Sequence, residues 1–76
     1  MSENIQFILM TEFVELCHLL KLTGLADSGG RGKAMVAEGL VKVDGIVEIR
    51  KTAKIRHRQR VTVGNVTIEL AQYLSN

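Results

Sequence analysis

The stretch RVTVGNVTIEL, residues 60–70, leaves this chain the least conformational freedom. Valine and isoleucine alternate with threonine and glutamate on either side of Gly64-Asn65. Alternation with a period of two sends every second side chain to one face of a strand, and glycine followed by asparagine suits a two-residue type II′ turn. The pairing that follows sets Val61, Val63, Val66, Ile68 and Leu70 on one face and Thr62, Thr67 and Glu69 on the other. An apolar sheet face of this kind must be covered by another layer.

The preceding half of the chain supplies that layer. Thr11 offers an N-cap, with Glu12 in the first turn, where the helix dipole favours an acid. Phe13, Leu16, Cys17 and Leu20 follow at i, i+3, i+4 and i+7 and line one face of a helix that Gly24 stops. Ser28 caps a second helix running to about Glu38, with Gly39 just past its end. Gly32, Met35 and Val36 share its inner face, and Gly32 is expected to stay small because the first helix packs close to it. Ile5–Leu9 reads as a short strand. LVKVDGIVEIR reads as two strands around Asp44-Gly45. A two-residue hairpin would pair Val43 with Ile46. The in-phase alternative pairs Val43 with Val47, sets Lys42 opposite Glu48 and keeps Val41, Val43, Val47 and Ile49 on one face; it is preferred and requires a bulge or a longer loop. KTAKIRHRQ is a basic, aperiodic connection, and AQYLSN is expected to be a frayed tail.

At 76 residues the chain makes a single domain, residues 1–76. A domain of this size buries only about 60% of its unfolded surface, which leaves no room for the cofactor cleft of a typical enzyme. Cys17 is the one cysteine, so an internal disulfide is excluded; on the buried stripe it reads as a small core hydrophobe, and a cytoplasmic location is expected. No apolar run reaches the length of a membrane span, and the start carries no basic leader, so neither a membrane nor a signal peptide is expected.

The formal net charge of +2 hides a polarised chain. Residues 28–60 hold nine lysines and arginines against Glu38, Asp44 and Glu48, a net +6, while the remainder is −4. Such a basic segment attracts polyanions. SGGRGKAM, residues 28–35, concentrates the question, because glycines beside cations are built to approach phosphate. A Walker loop is excluded: Asp27 would stand at its first glycine and Ala34 at its metal-binding hydroxyl. A dinucleotide fingerprint would need a third glycine at Met35 and a strand directly before it. Cys17, His18 and His57 lack the spacing of a metal site, and no nucleophile, base and orienting group come together, so no metal, no cofactor and no catalytic residue are expected. Nucleic acid fits better. The start of the second helix presents free N–H groups, Arg31 and Lys33 flank its buried stripe, and Lys42 with the Arg50–Arg60 run extends the basic surface. Aromatic residues are Phe7, Phe13 and Tyr73 alone, which points to phosphate and shape recognition of folded RNA rather than to base stacking.

The run from Thr11 to about Val63 resembles the S-four-like RNA-binding domain, the alpha-L motif of a small-subunit ribosomal protein. The resemblance is carried by LADS at the end of the first helical segment, GGRGKAMV opening the second, and AEGLVKVDG. The wording of SGGRGK and VKVDGIVEIRK is closest to small stand-alone members, the YbcJ-like proteins. It implies an α+β fold with two packed helices against a small, mostly antiparallel sheet of about four to five strands. It also implies a non-catalytic protein that binds structured ribosomal or transfer RNA as a monomer, beside a ribosome or an RNA-modifying enzyme. Carried onto this sequence, the RNA-facing residues are Ser28, Arg31, Lys33, Lys42, Arg50, Lys51, Lys54 and Arg56. Two departures stand out: Asp44 replaces a frequent asparagine, and Arg58 and Arg60 stand near positions usually occupied by glycine and an acid. The rival readings are a protein-interaction adaptor that kept the fold, with the N-terminal apolar run as docking strand, a helix-turn-helix DNA module, and a subunit that delivers RNA to a separate enzyme. Charge argues against the first and the glycines of the second helix against the DNA module.

Overall fold

The computed structural model describes residues 2–72. Its strands are β1 (Glu3–Leu9), β2 (Val14–Glu15), β3 (Val41–Val43), β4 (Ile46–Val47), β5 (Lys54–Ile55), β6 (Arg60–Val63) and β7 (Val66–Gln72); its helices are α1 (Leu16–Leu22) and α2 (Gly29–Ala37). Five strands form one sheet in the order β1-β7-β6-β3-β4. All of its pairings are antiparallel except β1 with β7. β2 and β5 form a separate two-stranded ladder.

The β6–β7 hairpin has the register its alternation predicts, Val63 opposite Val66 and Val61 opposite Ile68. Gly64 takes φ +59° and Asn65 does not adopt positive φ, as a type II′ turn requires. A row of apolar residues, Ile5–Ile68–Val61–Val43, crosses the sheet from β1 to β3 on the face that the helices cover. Leu16, Leu19, Leu20 and Val36 are completely buried there. The opposite face carries the row Asn4–Thr67–Thr62–Lys42–Val47. β7 runs through Ala71 and Gln72, held by β1, so the start of the expected frayed tail is strand; Tyr73–Asn76 lie outside the described residues.

The first helix starts later than its sequence predicts. The Thr11 hydroxyl donates to the Phe13 carbonyl at 2.7 Å in a local turn and caps nothing, and α1 begins at Leu16 with no acid in its first turn. The physical reason lies in a distant loop. The Leu16 and Cys17 N–H groups, which would otherwise lack partners at a helix start, donate to the carbonyls of Ala53 (2.9 Å) and Lys51 (3.1 Å). Phe13 therefore falls outside the helix, while Leu16, Cys17 and Leu20 take the buried positions assigned to them and Leu19 joins them. The stop at Gly24 holds, with Thr23 as C-cap.

The second helix matches its expected bounds: Ser28 Oγ accepts from the Arg31 N–H at 3.2 Å, and Glu38 is the C-cap before Gly39. Gly32 is buried against α1. A Cβ at this position would lie 2.6 Å from the Cys17 carbonyl oxygen, so no larger residue fits without separating the helices.

The Asp44-Gly45 hairpin corrects the in-phase expectation. Val43 pairs with Ile46 and Lys42 with Val47, with Asp44 at φ +52° and Gly45 at φ +83°, the two left-handed residues of a type I′ turn. β4 is an edge strand beyond the cover of the helices, so no burial gain rewards an apolar match, and turn chemistry decides the register. Ile46, Val47 and Ile49 remain exposed as a result. Asp44 also secures the hairpin to β6, its N–H donating to the Arg60 carbonyl at 2.8 Å and its Oδ1 accepting from the Arg60 N–H at 3.0 Å.

Substitution of Gly32 should separate these effects from helix propensity. Gly32→Ala is expected to lower stability in urea unfolding by roughly 1–3 kcal/mol, as overpacking against backbone does. Gly30→Ala, whose added Cβ meets only the Ser28 hydroxyl at 3.8 Å, is expected to raise it by up to about 1 kcal/mol. Equal effects of the two would refute the close helix crossing.

Candidate nucleic-acid interface

The residue that organises the basic surface is Cys17. Its carbonyl faces Gly32 in the first turns of α2, and its N–H is held by the Lys51 carbonyl. Lys33, next to Gly32, and the loop around Lys51 are thereby fixed to the same turn of α1. Within that loop, burial alternates: Ala53 and Ile55 enter the core, while Lys54 and Arg56 point outward. Lys33, Arg50, Lys51, Thr52 and Lys54 line one open groove of about 770 Å³.

The other assigned residues stand elsewhere. Ser28 serves as the helix cap. Arg31 and Lys33 lie about 100° to either side of Gly32 on α2, so the Arg31 side chain leaves on the flank away from the groove lining. Lys42 belongs to the outer face of the sheet, between Val47 and Thr62, on the side opposite the helices. Arg56 extends beyond the groove, its Cζ 5.7 Å from the centroid of the Phe13 ring, and Lys54 Nζ lies 4.9 Å from the same centroid. Phe13 is the neighbour that sequence reading misses, because its assignment to a helix face hid its position in the extended approach to β2. Arg58 takes φ +73°, so the left-handed turn usual for glycine is made here without one; its N–H donates to the Leu70 carbonyl at 2.9 Å.

The cations of the groove are not equivalent. Glu48 takes three hydrogen bonds from Arg50: from the backbone N–H and Nε at 3.0 Å each, and from Nη2 at 2.9 Å. The fork geometry matches carboxylate and phosphate alike, so Glu48 occupies one edge of the guanidinium and cancels its charge locally. The Arg50 side chain is nonetheless 78% exposed. Arg60 pairs with Glu69 at 3.4 Å on the outer face. Among the described residues no group of three or more His, Cys, Asp and Glu could hold a metal ion, and no helix is long and apolar enough to cross a membrane.

The side-chain hydrogen bond from Arg50, reinforced by that of its backbone N–H, lowers the Glu48 carboxyl from 4.5 to about 2. Because the folded-state value is the depressed one, the contribution of the pair is complete above the ordinary carboxylate value and fades as pH falls toward 2. An NMR titration of the Glu48 side-chain carboxyl carbon should show a midpoint near 2, returning toward 4.5 in Arg50→Ala. An ordinary midpoint in the parent protein would show the pair to be absent in solution.

A family model described as the S4 domain matches residues 7–71. The chain is 49% identical over 57 residues to the Escherichia coli (strain K12) protein named "Putative RNA-binding protein YbcJ", covering 75% of this chain and 81% of that one. The same figures hold for the "Uncharacterized protein YbcJ" of Shigella flexneri. The solution structure of E. coli YbcJ, described as revealing an alfaL motif involved in RNA-binding, matches with a TM-score of 0.70 at 44% identity, covering 93% of this chain and 91% of that one. Two helices against a mostly antiparallel sheet are thus a shared fold, and with the family model spanning most of its length the chain belongs to the S4 domain family.

Proposed function

We propose that this protein binds structured RNA, ribosomal or transfer RNA, by phosphate contacts and without catalysis. The observation that carries the reading is the groove in which Lys33 of α2 stands with Arg50, Lys51 and Lys54. Each phosphate neutralised there releases condensed counterions, so several cations in one groove bind a polyanion far better than the net charge of +2 suggests. The names and descriptions of the YbcJ relatives support the same ligand class. The protein would act in the cytoplasm, as a monomer, beside a ribosome or an RNA-modifying enzyme. Arg31, Lys42 and Arg56 would contact RNA that extends past the groove, with Ser28 keeping the start of α2 in place.

One observation favours a second reading, an adaptor. Ile46, on the hairpin, and Ile49, which itself lines the groove, are 73% and 66% exposed, and apolar side chains in these positions suit a protein contact. The N-terminal run forms β1, which pairs with β7 on one side and is an edge of the sheet on the other, the position from which a strand can be added by a partner.

Fluorescence anisotropy with bulk transfer RNA and with ribosomal RNA fragments tests the first reading. Lys33→Glu and Lys51→Glu are each expected to weaken binding about tenfold or more and to lower the salt slope by about 1. Both side chains are exposed, so unfolding free energies should stay within about 0.5 kcal/mol of the parent. Unchanged RNA affinity in both variants would overturn the assignment.

A further inference from the structure

Phe13 is half-buried, yet it belongs neither to the buried core nor to the half-buried residues packed against it, such as Phe7 and Val14. Its ring neighbours of note are cations: Lys54 Nζ at 4.9 Å and Arg56 Cζ at 5.7 Å from the centroid. Lys54 also lines the groove, so the ring lies beside a groove residue without lining the groove itself. Phe7 faces the core from β1, which leaves Phe13 as the aromatic of the basic surface among the described residues.

We infer that Phe13 is a stacking site for an unpaired nucleobase, with Lys54 and Arg56 taking the phosphates on either side of that nucleotide. The inference rests on the RNA reading and deepens it: the preferred ligand is a stem whose loop or bulge supplies a free base. Relative magnitudes decide which partner holds the ring. An exposed cation–π contact contributes about 0.5–1 kcal/mol, whereas stacking of a base on an aromatic side chain contributes about 1–3 kcal/mol. The base therefore displaces the cations from the ring. Lys54 and Arg56 lose little, because each moves to a phosphate a short distance away and both are exposed on long side chains. A leucine at this position would preserve the apolar support for the two cations but offers no π-face.

The test uses the full chain and two RNA probes: a short hairpin with an adenine-rich loop carrying the fluorescent base 2-aminopurine, and the blunt duplex of its stem. The parent should bind the hairpin more tightly than the duplex and quench the 2-aminopurine. Phe13→Leu should abolish the quenching and weaken hairpin binding about tenfold, leaving duplex binding unchanged. Phe13→Trp should keep both the quenching and the preference, and thermal melts should show both variants folded. Equal losses on hairpin and duplex would reduce Phe13 to a support for Lys54 and Arg56 and overturn the inference. So would a parent that neither prefers the hairpin nor quenches the loop base. If Lys33→Glu and Lys51→Glu weaken both probes while Phe13→Leu changes neither, stacking fails and the RNA reading stands. If the lysine variants also change nothing, the RNA reading fails, and the inference with it.

Discussion

The backbone of Cys17 is the junction on which the rest of the molecule depends. On one side its carbonyl admits only a glycine from α2, and on the other its N–H is closed by the Lys51 carbonyl. The first contact sets how closely the two helices approach; the second attaches a long basic loop to a helix start that has no side-chain cap. Both are backbone contacts, so they are indifferent to the Cys17 side chain, which fills a buried apolar position. What they determine is the separation between Lys33 and the cations of the loop. A domain with so thin a core has few other means of holding a loop of this length, and two carbonyl-to-amide bonds with Ala53 and Ile55 inserted into the core perform that task.

Much of the fold is legible from local chemistry. Gly64-Asn65 dictates its hairpin, Ser28 dictates the start of α2, and the requirement for a small residue at Gly32 follows from its place on the inner face. The start of α1 is not legible, because its caps come from Lys51 and Ala53, far away in the chain, and because Thr11 and Glu12 present a convincing local alternative. The register at Asp44-Gly45 is misread for a related reason. Matching apolar faces is a sound guide where both faces of a pair are covered, but β4 lies at the exposed edge, where its turn and its backbone bonds to β3 set the register. The cations that line the groove are legible as residue types, since residues 28–60 stand out as a basic segment, whereas the glycines among them serve the start and packing of α2. The grouping of the cations is not. Lys33 and Lys51 meet only because of Cys17, Lys42 is carried to the far face by strand alternation, and Phe13 reaches the basic surface only because the helix starts after it.

Charge pairing refines that grouping. Arg50 and Arg60 spend part of their donor capacity on Glu48 and Glu69. The strongest local field in the groove therefore comes from its lysines, with Arg50 held in a fixed orientation by the carboxylate beside it. A fixed guanidinium with one edge free contributes direction rather than bulk attraction, whereas lysine ammonium groups contribute attraction with little directional demand. The groove thus combines a mobile, long-range component with one oriented donor. That combination suits a ligand whose phosphates must first be collected and then placed.

Stability and recognition are also separable in this chain, for a reason visible in its burial. Among the described residues no polar or charged side chain is buried, and the core is aliphatic apart from Cys17 and Met35. Removal of a groove lysine therefore breaks no ion pair inside the domain, whereas removal of the Arg50 side chain takes two of its three hydrogen bonds with Arg50 from the Glu48 carboxylate, whose side chain is only 18% exposed. For the lysines, the cost of altering recognition then falls almost wholly on the ligand side. The exception is the backbone of residues 51–53, whose carbonyls serve the fold while the Lys51 side chain serves the groove. A change that disturbs the path of this loop affects both functions at once, whereas a change of side-chain charge on the same loop affects only one. The distinction tells a loss of binding caused by misplaced charge from one caused by missing charge: the first lowers stability together with affinity, and the second leaves stability where it was.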